Sequence, residues 1–151
     1  MIQYDVELTN DRVPCLVKEK DYGDCGNMNG PSAVKDMLCL YMRLDRKAEE
    51  YVYLIALSTK GRPIAVFFLS KGVLDGSFCR PREIMQRLLL VGAAKFILAH
   101  NHPSGDIMPS EMDIMMCRKC KEAGVLMDIP LCDFMIIGNG NYYSMKEEGL
   151  L

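Results

Sequence analysis

Both histidines of the 151-residue chain, His100 and His102, stand two residues apart behind an apolar run, Phe96-Ile97-Leu98-Ala99. An extended backbone sends residues i and i+2 to the same side, so both imidazoles can converge on one point. Further on, Pro109 and Ser110 open an apolar-periodic segment that carries Asp113 one turn in, within reach of that point. Two neutral nitrogens and one carboxylate leave a fourth position open, which is the catalytic form of zinc coordination. A plainer use competes for the same residues. Ser110 as an N-cap with Asp113 three positions on is a capping-box-like pair, and Asp113 would then serve the backbone. The conjunction of His-x-His at a strand end with Ser-x-x-Asp favours the metal.

These side chains need a strand, a turn and a helix to hold them. Lys95 to Ala99 is short and nearly all apolar, as expected of a strand covered on both faces. Pro103, Ser104, Gly105 and Asp106 make the turn. The helix from Ser110 is expected to stop at Gly124, a good C-terminal residue, with strands at Val125–Ile129 and Cys132–Ile137. Asn139-Gly140 is a tight hairpin signal, and residues 141–144 return. Upstream, Pro31 opens a helix whose Val34, Met37, Leu38, Tyr41 and Leu44 share one face, ended by Asp45-Arg46-Lys47. Tyr51–Leu57 and Pro63–Leu69 are antiparallel partners, followed by a turn segment, Val73-Leu74-Asp75-Gly76. Pro81 opens a second helix with Ile84, Met85, Leu88, Leu89 and Val91 on its apolar side. The order β-α-β-β-α-β-α-β-β implies an α/β fold with a mixed sheet and helices against it.

One domain preceded by an arm is expected, since 151 residues are too few for two ordinary domains. Residues 1–30 form an arm: Ile2, Tyr4, Val6 and Leu8 alternate, as do Val13, Cys15 and Val17, with Asn10-Asp11 between them. This is a hairpin pattern, with Pro14 confining its strand to an edge. A Gly/Asn/Asp-rich linker, 21–30, follows. Such an arm can pack on the domain or on a second copy of the chain, giving a homo-oligomer. Residues 31–151 form the main domain.

Half the residues are apolar and a quarter charged, normal for a soluble domain. No apolar stretch approaches the roughly 18 residues of a membrane span, and the alternating, acidic N-terminus is not a signal peptide, so the cytoplasm is the expected location. Seven cysteines without a secretion signal argue for reduced thiols. Cys117-x-x-Cys120 has no second pair for a zinc ribbon and reads as core. A formal charge of −2, with basic groups (Arg43, Arg46, Lys47; Arg80, Arg82; Arg118, Lys119, Lys121) interrupted by acids, argues against DNA binding.

His100-Asn101-His102-Pro103, the seven residues from Pro103 to Pro109, then Ser110-Glu111-Met112-Asp113 resemble the JAMM (MPN-plus) metalloprotease signature, H-x-H-x7-S-x-x-D. The longer string HNHPSGD…PS…D resembles the RadC-like branch. So do Gly72-Val73-Leu74-Asp75-Gly76, Pro81-Arg82-Glu83-Ile84 and Ser144…Glu148-Gly149-Leu150-Leu151, and the likeness covers residues 31–151.

The resemblance implies a JAMM/MPN-type sheet sandwiched by helices, a cytidine-deaminase-like layered architecture, with Zn2+ held by His100, His102 and Asp113. It implies a hydrolase of peptide or isopeptide bonds in a peptide or protein substrate. Glu50, just before Tyr51–Leu57 where RadC-like sequences place a glutamate, is the expected general base, with Glu49 its neighbour. Ser110 would stabilise the oxyanion, Asp106 would orient a histidine, and Arg82-Glu83 would lie at the cleft rim. RadC-like proteins traditionally carry a DNA-repair label. The acidic arm here stands where full-length RadC has a helix-hairpin-helix segment, and Asp133-Phe134 replaces a frequent Asp-His.

Two other readings compete. Nucleobase deamination needs H-x-E and P-C-x-x-C; His100-Asn101-His102 lacks the glutamate, and Cys117 lacks the proline. The alternative is a non-enzymatic, metal-stabilised interaction module associated with DNA repair or mobile elements, against which the intact ligand set argues.

Overall fold

The computed structural model describes residues 1–72 and 80–151; the turn segment expected at Val73-Leu74-Asp75-Gly76 lies outside the described residues. At the centre, β3 (Tyr51–Leu57) pairs antiparallel with both β4 (Pro63–Lys71) and β5 (Lys95–Asn101). β5 in turn pairs parallel with β6 (Leu131–Gly138), which turns back into β7 (Asn141–Ser144). Asn139 and Gly140 both have positive φ, as a two-residue hairpin turn of the primed type requires.

The N-terminal hairpin of β1 (Ile2–Leu8) and β2 (Pro14–Asp21) joins the same sheet, because Ile2 and Gln3 pair in parallel with Ala65 and Val66. β2 is the edge strand, where Pro14 is tolerated. The strand order is β2-β1-β4-β3-β5-β6-β7.

Helices cover both faces. Val52, Leu54, Phe96, Leu98 and Phe134 meet α2 (Pro81–Leu90) and α3 (Glu111–Leu126) through Ile84, Leu88, Met116, Cys117 and Cys120. Tyr53, Ile55, Ile97, Ala99 and Met135 meet α1 (Pro31–Met37) and the turns after it through Val34, Met37, Leu38 and Leu44. The residues of β5 alternate between the two cores, and every one from Phe96 to Asn101 is buried. The result is the expected α/β fold, a mixed sheet sandwiched by helices. Among the described residues, no helix is long and apolar enough to cross a membrane.

Three local expectations are corrected. The helix opened by Pro31 does not run on to Leu44: α1 passes into a π-helical turn, Leu38–Met42, then Arg43 adopts the left-handed conformation and Leu44–Arg46 forms a 3-10 turn. A π turn adds a residue per turn, so Met42 joins the core while Tyr41 is only partly buried. Downstream, α3 does not stop at Gly124. It continues to Leu126, and no strand forms over Val125–Ile129. A Cβ at Gly124 would lie 2.6 Å from the Ile129 carbonyl oxygen and 3.1 Å from Phe96 Cε1, so this glycine permits close helix–sheet approach rather than capping. Val125 and Leu126, the apolar pair that suggested a strand, are 70% and 85% exposed. Last, Leu89 of the expected apolar side of α2 faces out, 55% exposed.

Candidate metal centre

His100 stands at the second-last position of β5, paired with Val52 on one side and Ile136 on the other. It points into the layer between the sheet and α3, where it is fully buried against the Phe134 ring, centroids 5.6 Å apart. The His102 amide donates to the Ile137 carbonyl at 2.9 Å, so the strand's alternation carries past its end and His102 falls on the same face. The two imidazoles lie 4.9 Å apart, nearly perpendicular. From the first turn of α3, Asp113 completes the group: its Oδ1 is 3.3 Å from His100 Nε2 and its Oδ2 is 3.6 Å from His102 Nε2. His100, His102 and Asp113 can together hold one metal ion.

Asp113 divides its oxygens between the two uses its sequence position suggested. Oδ2 accepts the Ser110 amide at 2.7 Å and the Ser110 hydroxyl at 2.6 Å, while Ser110 Oγ accepts the Asp113 amide at 3.2 Å. That is a complete capping box. Among the described residues, Oδ1 is buried without a hydrogen-bond partner, as are both ring nitrogens of His100. The Nε2–Oδ1 pair, 3.3 Å apart, makes no hydrogen bond. Buried polar atoms in folded proteins are satisfied with few exceptions, and a cation between His100 Nε2 and Asp113 Oδ1 would satisfy those two. The donor set fits the expected metal.

Protonation fits too. Burial drives the His100 imidazole down to about 4, Asp113 opposing and His102 reinforcing the shift, so at neutral pH the ring is uncharged and one nitrogen keeps a lone pair. His102 Nδ1 lies 2.7 Å from the Asp106 backbone carbonyl. A carbonyl only accepts, so the hydrogen bond assigns the proton to Nδ1 and leaves the Nε2 lone pair facing Asp113. Asp106 therefore orients a histidine through its backbone; its carboxylate accepts the Met108 amide at 3.0 Å.

The group opens into a cleft of about 360 Å³ lined by Glu50, His102, Pro103, Ser104, Ser110, Met112 and Asp113. The structure thus brings both remaining sequence candidates, Glu50 and Ser110, to the same mouth. It also separates Glu50 from its neighbour: Glu49 is exposed and ion-paired with Lys71 at 2.5 Å. Arg82 and Glu83 open α2 and do not line this cleft. Cys117 and Cys120 are buried in the core, and burial lifts the Cys117 thiol to about 11. A second cavity, about 380 Å³, lies on the α1 face beside Lys95 and Lys146. Among the described residues it has no ligand set: the buried carboxylate there, Asp133, is occupied by Ser144 Oγ and the Phe134 and Lys146 amides.

Two residues that position the site were not singled out from the sequence. Gly138 ends β6 where a Cβ would stand 2.7 Å from the Gly105 carbonyl oxygen and 3.1 Å from Ile107, so only glycine lets the turn after His102 lie this close. The other is Asn101, between the histidines. Its only sequence signal was its place in the motif.

Comparison with known proteins agrees with this geometry. The RadC-like JAB domain profile matches residues 28–150. The chain is 40% identical over 118 residues to a UPF0758 protein of Methanosarcina acetivorans, which covers 78% of this chain and 52% of that one. It is 38% identical over 140 residues to a UPF0758 protein of Alkaliphilus oremlandii, covering 93% and 58%. With the UPF0758 protein of Moorella thermoacetica it shares 41% over 125 residues, covering 82% and 53%. The chain spans about half the length of the curated relatives it matches. The profile takes in every residue of the metal centre and most of the chain, and on that ground the chain belongs to the RadC-like JAB domain family.

Proposed function

We propose that the domain hydrolyses peptide or isopeptide bonds with a zinc ion held by His100, His102 and Asp113. One observation carries this reading: orphaned ligand atoms are buried at the floor of a cleft whose wall presents a glutamate. Two imidazole nitrogens and one carboxylate oxygen suit zinc. When bound, zinc supplies Lewis acidity, lowering the ionisation of water towards about pH 7 and polarising a carbonyl.

The chain's own residues supply the rest. Glu50 takes a proton from the attacking water and hands it to the leaving nitrogen. Ser110 spends its hydroxyl hydrogen on Asp113 Oδ2; turned towards the cleft, the same hydroxyl donates to the developing oxyanion, and Asp113 keeps the Ser110 amide. Phe134 and the sheet exclude water from the back of His100. The open wall of Pro103, Ser104 and Met112 suits a polypeptide segment better than an enclosed small molecule.

Metal content of protein purified without added metal or a histidine tag is the first test, with about one zinc per chain expected. Peptide libraries then compare wild type with Glu50→Gln. No zinc after add-back overturns the metal centre. Zinc without cleavage that depends on Glu50 overturns the hydrolase.

A further inference from the structure

Asn101 points away from the His100, His102 and Asp113 group, into the opposite face of the sheet, and is buried. Its side chain reaches around the start of β3. Oδ1 accepts the Tyr51 amide at 2.8 Å, and Nδ2 donates to the Glu49 carbonyl at 3.0 Å and to the Lys47 carbonyl at 3.4 Å. The Gly72 amide donates to the Glu50 carbonyl at 2.9 Å. Both peptide groups flanking the Glu50 Cα are therefore tied down, each by a bond from Asn101. Regular pairing does not supply these bonds, because Glu50 precedes the strand.

Two donors and one acceptor are needed at this spot, and a primary amide meets the need. Asp offers no donor to the carbonyls, and Ser cannot span the three partners. Val52, two residues on, belongs to the core on the α3 face, and alternation sends the Glu50 side chain to that face, where it lines the cleft.

We infer that Asn101 is a positioning residue that holds Glu50 in register with the metal centre: it is covalently between the two histidines and non-covalently on either side of the glutamate. One residue thus couples the ligand strand to the segment bearing the base. This inference rests on Glu50 acting at the metal, and its test separates the two.

The probe is acetohydroxamic acid, a neutral zinc chelator that gives its hydroxyl proton to a neighbouring base on binding. Its affinity for zinc-loaded protein is measured in wild type, Glu50→Gln, Asn101→Ala and the double variant, with zinc content and the amide exchange of Tyr51 followed in parallel. Asn101→Ala is expected to keep one zinc, to speed Tyr51 exchange without changing Leu54 or Leu98, and to weaken the probe about tenfold, within the usual range for outer-shell residues. In the Glu50→Gln background it should change nothing further, since a residue acting through Glu50 is non-additive with it.

Equal weakening in both backgrounds, or none in the wild-type background, overturns the inference. Unchanged probe affinity in Glu50→Gln overturns the role of Glu50 itself, and the coupling falls with it. Where Asn101→Ala does not fold, Asn101→Asp serves. It keeps the Tyr51 bond and sets an acceptor against the two carbonyls, so it should weaken the probe at least as much, and wild-type affinity would refute the inference.

Discussion

Asp113→Asn separates the two tasks of one side chain. Asparagine can keep an oxygen where Oδ2 accepts the Ser110 amide and hydroxyl, and it places an NH2 where the unpartnered Oδ1 faces His100 Nε2 at 3.3 Å. Exchanging charged cap bonds for neutral ones costs about 1 kcal/mol. The metal-free variant should therefore melt within about 4 °C of wild type, given the usual 2–4 °C per kcal/mol at this size.

With zinc the two proteins diverge. Free zinc at a thousand times its Kd stabilises wild type by about 4 kcal/mol, some 8–16 °C, and the variant should gain almost none of it. Calorimetry of both proteins with and without zinc, alongside elemental analysis, reads both effects. Asp113→Ala should lose the zinc shift and also about 1 kcal/mol of metal-free stability with the cap. Stoichiometric zinc in Asp113→Asn with the full wild-type shift would refute the ligand assignment. A metal-free variant melting more than about 10 °C low would show the carboxylate to be a folding requirement instead.

Glu50→Gln should retain zinc while cleavage falls by about 10²–10⁴, the usual contribution of a general base; lost zinc would make it a structural residue. Gly124→Ala should cost about 1–3 kcal/mol by overpacking, since its Cβ would meet the Ile129 carbonyl oxygen at 2.6 Å. Thermal melting checks this, and an unchanged midpoint would mean the helix can lift off Phe96. Metal-free stability should fall as pH drops from 6.5 to 4: His100, depressed to about 4 by burial, stays neutral in the fold while the unfolded chain takes up a proton. The loss is on the order of 3 kcal/mol. Asp133, whose pKa burial raises, contributes with the opposite sign, so His100→Phe is the control, and an identical pH slope in that variant would reject the assignment.

The three residues that could hold a metal were legible in the sequence because local rules bring them together. Alternation puts His100 and His102 on one side, and a helix start puts Asp113 one turn in. The strands were equally plain where burial on both faces made them continuously apolar, as in β3 and β5. The local signals misled where long-range packing overrode them. Gly124 looks like a helix end, and only the distance to Ile129 and Phe96 shows that it admits a close approach. Val125 and Leu126 look like a strand because exposed apolar residues carry no mark of their exposure. The sequence set cap against ligand for Asp113 and favoured ligand, as if one residue had one role; the fold engages Oδ2 in the cap and leaves Oδ1 facing His100. The link from Asn101 to the segment bearing Glu50 spans half a hundred positions of chain. Only the pairing of β3 with β5 closes that distance, so no spacing in the sequence could have announced it.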